Sequence, residues 1–380
     1  MDNNHKQRQV YIDNLRLFII INVVIMHLAV TYSGSGGWYY KDYEGIGQIA
    51  YVIFGLWQSF TQAYFMGFLF LISGYFVASS YNKKGCTGFL KDRLIRLGVP
   101  TLIYMLTINP FIVYVQLAGQ WERPTFLKYY TDYIIQLDFV GASGPLWFAF
   151  TLLIFNCVYA IVRSLSKQSS ETKRKELPGF QSVLQLILLI AVLAFLVRLL
   201  QPIGTSVLNL QLCYFVQYII LFIVGIKAGR YDWFAQLQYS LGRRWLLTAI
   251  IPATIFWIFI MLTGGALEDK LDLYMGGFTW QSAAYALWES FVAVAMAIGL
   301  ITLFREKYNY RTGIVKAMSD SSFTVYMFHA PIIIAISLAL SHLQVSPVIK
   351  FFIALLTGLP LCFLLSYYVI RRIPILKKVL

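Results

Sequence analysis

The chain has 380 residues, of which 59% are apolar, 17% aromatic and only 13% charged. Soluble domains carry roughly a quarter charged residues, so this composition excludes an ordinary soluble protein and places the chain in a lipid bilayer. The net charge of +14 does not indicate a nucleic-acid partner, because the Lys and Arg residues fall between apolar blocks instead of clustering on one folded polar face.

A helix that crosses a bilayer needs about 20 mainly apolar residues. In chain order such windows fall at residues 11–32, 61–81, 99–118, 144–164, 182–201, 211–229, 245–264, 281–304, 322–341 and 347–369. They predict an all-α, polytopic membrane protein with about ten transmembrane helices and no soluble domain of its own. The first window imitates a secretory signal, with Lys6 and Arg8 before an apolar run. Asp13, Arg16, Asn22 and His27 within that run mark it as a retained span. The stretch from Ile46 to Phe60 is apolar, aromatic and short, and reads as either an interfacial helix or an extension of the second span.

Alternate loops are basic. Three Lys and Arg lie in the segment through Arg16, five between Lys83 and Arg96, five between Arg163 and Lys175, four between Lys227 and Arg244, four between Arg305 and Lys316, and four from Arg371 onward, which places 25 of the 31 on one side. Short basic loops stay in the cytoplasm, so both termini are expected there. The intervening loops are rich in Gly, Tyr, Trp and acids and are expected to face outward. Their aromatics, such as Trp38, Tyr39, Tyr40 and Trp121, read as an interfacial belt or, alternatively, as platforms for sugar faces. Cys86, Cys157, Cys213 and Cys362 are scattered with no CxxC pair, which suggests neither a metal site nor a disulfide framework.

Ionisable groups inside a bilayer are costly and are therefore candidates for function. In the first span Arg16 and His27 are eleven residues apart, which at 100° per residue returns to within about 20° of one helix face. Asp13 shares that face. A carboxylate and a guanidinium thus sit near the basic mouth, with an imidazole about 16 Å deeper. His27 suits a general base acting on a hydroxyl, and Arg16 suits a phosphate or the orientation of Asp13; the bland reading of the histidine is a hydrogen bond to a neighbouring helix. Arg93 and Arg96 are three apart on one face at the basic end of the third span, where they could fork onto phosphates or simply obey the charge rule. Glu289 and His329 each could line a central cavity. His329 is expected near the basic start of its span, apart from His27 and more structural than catalytic. Arg198 and His342 are placed near the opposite helix ends, where snorkelling explains them. Ser73 and Gly74 suggest close helix packing.

Several stretches together resemble the acyltransferase-3 family of integral membrane acyltransferases, and more loosely its glucan-modifying branch. They are Tyr11-Ile-Asp-Asn-Leu-Arg16 followed by His27, Phe70-Leu-Ile-Ser-Gly-Tyr75, Arg93-Leu-Ile-Arg96-Leu-Gly-Val-Pro100, Gly144-Pro-Leu-Trp-Phe148 and Tyr326-Met-Phe-His-Ala-Pro331. The resemblance runs nearly end to end and implies one membrane acyltransferase domain over residues 1–380. It implies a cytoplasmic acyl-CoA as donor substrate, with no tightly bound cofactor. The acyl group, acetyl or succinyl, would go to a hydroxyl of a saccharide or other acceptor outside a bacterial plasma membrane. It points to His27 as the catalytic histidine, Arg16 as its motif partner, and Arg93 and Arg96 as the grip on the CoA phosphates. Together with the reading of the spans, the expected site is His27, Arg16 and Asp13 as catalytic and Glu289, Trp147 and His329 as substrate-binding. The rival reading is a transporter or flippase in which Asp13, Arg16, His27 and Glu289 line a path without chemistry.

Overall fold

The computed structural model describes residues 9–117, 123–166 and 175–373. Trp121 and the basic residues Lys6, Arg8, Lys167, Lys173, Arg174, Lys377 and Lys378 lie outside them. The described chain is all helix and loop, and nine of its helical runs are long and apolar enough to cross a membrane.

One of those runs, 48–116, is 69 residues long, which at 1.5 Å per residue would extend about 100 Å, more than three bilayer cores. It is two crossings. Gly85, at φ 69° and ψ 174°, breaks the helix. Past it the chain returns on itself: Lys84 meets Asp92 at 2.8 Å, Arg93 donates to Ser80 Oγ at 3.0 Å, and the Tyr81 and Phe89 rings stand 5.6 Å apart. Ten crossings result: α1 (Val10–Ser33), α2 (Gln48–Arg93), α3 (94–116), α4 (Trp147–Leu165), α5 (Phe180–Leu200), α6 (Phe215–Tyr231), α7 (Tyr239–Thr263), α8 (Trp280–Lys307), α9 (Gly313–Leu340) and α10 (Pro347–Tyr368). The ambiguous stretch before Phe60 belongs to α2, which starts at Gln48.

Local chemistry sets the ends. Gly34, at φ 75°, closes α1 by donating its N–H to Val30 O at 3.1 Å, a left-handed cap that glycine adopts without a Cβ clash. Thr279 and Thr312 cap α8 and α9 by accepting from Ser282 N and Val315 N, each at 3.2 Å. In α3, Pro110 cannot donate to Leu106 O, which leaves that carbonyl without its helical partner. Tyr130 Oη donates to it at 3.0 Å, and Tyr133 Oη donates to Met105 O at 2.6 Å. This docks the short helix Phe126–Ile135 on α3.

α1, α8 and the inner parts of α2 and α9 form the core, while α5, α7 and α10 turn much of their surface outward. α2 and α6 pack backbone to backbone. A Cβ on Gly74 would strike Phe222 O, and Cβ atoms on Gly225 and Gly229 would strike Leu71 O and Tyr75 O, so the small residue expected to allow close packing does so, met by a GxxxG pair.

The loops gather at two ends. At the basic end Asn14 Nδ2 donates to Tyr308 O and Tyr310 O at 2.6 and 3.0 Å, Tyr75 Oη donates to Asp232 at 3.1 Å, and Arg305 holds the carbonyls of Phe234 and Leu237. At the other end Lys350 Nζ meets Asp42 at 2.8 Å, Asn209 donates to Ser143 Oγ and Gly144 O, and Ile203 N donates to Met275 O. This second cluster roofs the site.

Candidate functional site

A cavity of about 890 Å³ runs from the roof loops into the bundle, within the size range of small-molecule sites. His27 is in its wall, together with Trp38, Tyr39, Trp147, Tyr214, Tyr218 and Tyr285. Five side-chain amides, those of Gln58, Gln62, Asn109, Asn209 and Gln211, supply donors and acceptors, and no Lys, Arg, Asp or Glu lines the space among the described residues. Gly144, at φ 49°, lets the loop pass close to Tyr39 and Tyr104, whose hydroxyls a Cβ there would strike.

Three rings lie nearly parallel at the inner wall. His27 stacks on Trp38 with centroids 3.7 Å apart and planes at 11°, and His329 lies 5.1 Å from His27 at 15°. His329 is fully buried, and its Nδ1 donates to Tyr326 O at 2.8 Å and Val325 O at 3.2 Å. His27 Nδ1, His329 Nε2 and Trp38 Nε1 are buried with no hydrogen-bond partner among the described residues, and three such atoms beside one cavity mark a place built for polar chemistry. Trp38 and Tyr39 therefore turn inward, whereas the loop aromatics were expected mainly at the membrane interface.

The expected separation of the two histidines is corrected. His329 is not near the start of its helix, because α9 begins at Gly313, a little over two turns before the apolar window, and His329 sits at mid-span against His27. It stands behind the lining residue Tyr326 and does not itself face the cavity.

Glu289 does not line the cavity either. Its carboxylate is held by Arg198, and the two side chains are 3% and 0% exposed. The guanidinium carbon lies 5.6 and 5.8 Å from the rings of Tyr214 and Tyr285, so the ion pair braces two aromatic residues of the wall from behind. Arg198 does not snorkel. The available sequence signal was a pair of opposite charges in two apolar spans at comparable depth.

Asp13 and Arg16 are not brought to His27. All three are on the unbroken α1, and the eleven helical steps from Arg16 to His27 separate them by about 16 Å. Asp13 accepts from Arg311 at 3.0 Å and lies 3.7 Å from Arg16, whose guanidinium also covers the Phe76 ring at 5.1 Å. Arg93 binds Ser80, one helical turn from Phe76, so Arg16 and Arg93 flank adjacent turns of α2. Arg96 pairs with Asp92 at 3.1 Å yet remains 65% exposed. The site residues thus form two groups: His27 and Trp147 in the cavity wall with His329 and Glu289 behind it, and Asp13, Arg16, Arg93 and Arg96 at the basic end.

Residues 9–367 match the model of the acyltransferase-3 family, described as an acyltransferase domain. The chain is also similar to the glucans biosynthesis protein C of Escherichia coli strain K12, at 23% identity over 98% of this chain and 94% of the relative, and to those of strains HS and ATCC 8739 at the same identity and coverage. No solved structure matches. The chain belongs to the acyltransferase-3 family and is a membrane acyltransferase.

Proposed function

We propose that this enzyme takes an acetyl or succinyl group from acyl-CoA on the cytoplasmic side of a plasma membrane and transfers it to a hydroxyl of a saccharide on the other side, with His27 at the reacting centre. The observation that carries this reading is His27 in the wall of a cavity lined by aromatic rings and amides without a charged side chain among the described residues. Aromatic faces suit the C–H faces of sugars, amides suit their hydroxyls, and the missing charge favours a neutral glycan, in keeping with the glucan in the relatives' name. The basic loops orient that cavity outward, and Arg16, Arg93 and Arg96 at the opposite end suit the phosphates of CoA.

In the reaction the acceptor hydroxyl gives its proton to His27 as its oxygen attacks the thioester carbonyl. The tetrahedral intermediate then expels CoA as a thiolate, which takes the proton from the imidazolium. A covalent acyl-His27 intermediate would use the same residue.

The test is transfer from radiolabelled acetyl-CoA and succinyl-CoA to a neutral glucan oligosaccharide by the purified protein in liposomes, wild type against His27→Ala. Loss of transfer in a folded variant that still binds CoA is expected. Transfer that survives in His27→Ala, or a wild type that uses neither donor, overturns the reading.

A further inference from the structure

His27 faces a problem of tautomers. To accept a proton, the nitrogen toward the cavity must carry a bare lone pair. His27 Nδ1 is buried without a partner among the described residues, so Nε2 is the nitrogen left to face the cavity. A neutral ring with a bare Nε2 carries its proton on Nδ1, and a buried N–H with no acceptor is unfavourable. Unaided, the ring would favour the opposite tautomer, which presents N–H to the acceptor hydroxyl and cannot take its proton.

His329 has the complementary arrangement. Main-chain carbonyls only accept, so its contacts to Tyr326 O and Val325 O fix the proton on Nδ1. The bare nitrogen is then Nε2, also buried and without a partner among the described residues, on a ring 5.1 Å from that of His27. One histidine has a donor to satisfy and the other an acceptor. The geometry points to His329 as the positioning residue that sets the tautomer of His27, through one water that accepts from His27 Nδ1–H and donates to His329 Nε2. The carbonyls of α9 orient His329, and His329 orients His27, in the way that a carboxylate orients the base of a hydrolytic triad. This inference rests on the reading of His27 as the reacting base.

The experiment labels histidine with ¹⁵N in the full chain in lipid nanodiscs and reads tautomers from two-bond nitrogen–proton couplings, with His27 assigned by the signal lost in His27→Gln. In the wild type the neutral His27 is expected as the Nδ1–H form. His329→Ala moves it toward Nε2–H and lowers kcat about 10- to 100-fold, the range for losing a partner that orients a functional imidazole, with the KM for acyl-CoA unchanged. His329→Gln, whose amide oxygen can accept from the same water, regains part of both. A wild-type His27 in the Nε2–H form, or an unchanged tautomer and kcat in His329→Ala, overturns the proposal. If the wild type transfers no acyl group, the proposed reaction fails, while the tautomer of wild-type His27 still decides this question.

Discussion

His27 lies flat against Trp38, ring centroids 3.7 Å apart, so a residue of the first crossing is clamped by the loop that follows it. The loop is tied down by Asp42, whose N–H donates to Thr31 O at 2.8 Å and whose carboxylate meets Lys350 at 2.8 Å. Aromatic stacking contributes about 0.5–1.5 kcal/mol beyond burial. Trp38→Ala is therefore expected to lower kcat about 2- to 10-fold as His27 gains freedom, and Trp38→Phe, which keeps the stacking, to retain most of it. A Trp38→Phe kcat as low as that of Trp38→Ala would show that stacking is not what holds His27.

Arg198 and Glu289 make a second prediction. Removing one partner of a buried pair leaves an uncompensated charge and costs about 3–5 kcal/mol, whereas replacing both with apolar groups is often neutral. Glu289→Ala should lower the melting temperature of the detergent-solubilised protein strongly. Arg198→Met combined with Glu289→Leu should recover most of that loss. A double variant as unstable as the single one would show that the pair does more than brace Tyr214 and Tyr285.

At the basic end, a hydrogen bond to a charged group contributes about 1.5–3 kcal/mol. Arg93→Gln with Arg96→Gln is expected to raise the KM for acyl-CoA about 10- to 100-fold while leaving the KM for the glycan unchanged. Steady-state kinetics with each substrate varied in turn makes the check. Equal effects on both substrates would remove these arginines from the donor side.

The contact of α2 with α6 leaves no room for a side chain, since a Cβ at Gly225 already meets Leu71 O. Gly225→Val should destabilise the protein by about 1–3 kcal/mol, read as a lower melting temperature with kcat little changed in the fraction that folds.

The sequence by itself determined the class of the protein, the ten crossings and the alternation of basic loops, because burial in lipid acts on each segment locally and leaves its record in hydropathy and charge. It also placed Asp13, Arg16 and His27 on one strip of one helix, since helical periodicity is local as well. It left the start of the second crossing open between an interfacial helix and an extension of the span, because Gln58 dilutes the apolar stretch there although it lines the cavity. Only the tertiary structure joined His27 to His329 and Arg198 to Glu289, and only it moved Trp38 and Tyr39 from an interfacial belt into the wall of a site. These relationships join residues of different helices or a helix and a loop. Which faces meet is decided by the packing of the whole bundle, where one glycine that allows backbones to touch sets the rotation of its helix and with it the side chains turned inward. No window of the sequence contains both partners.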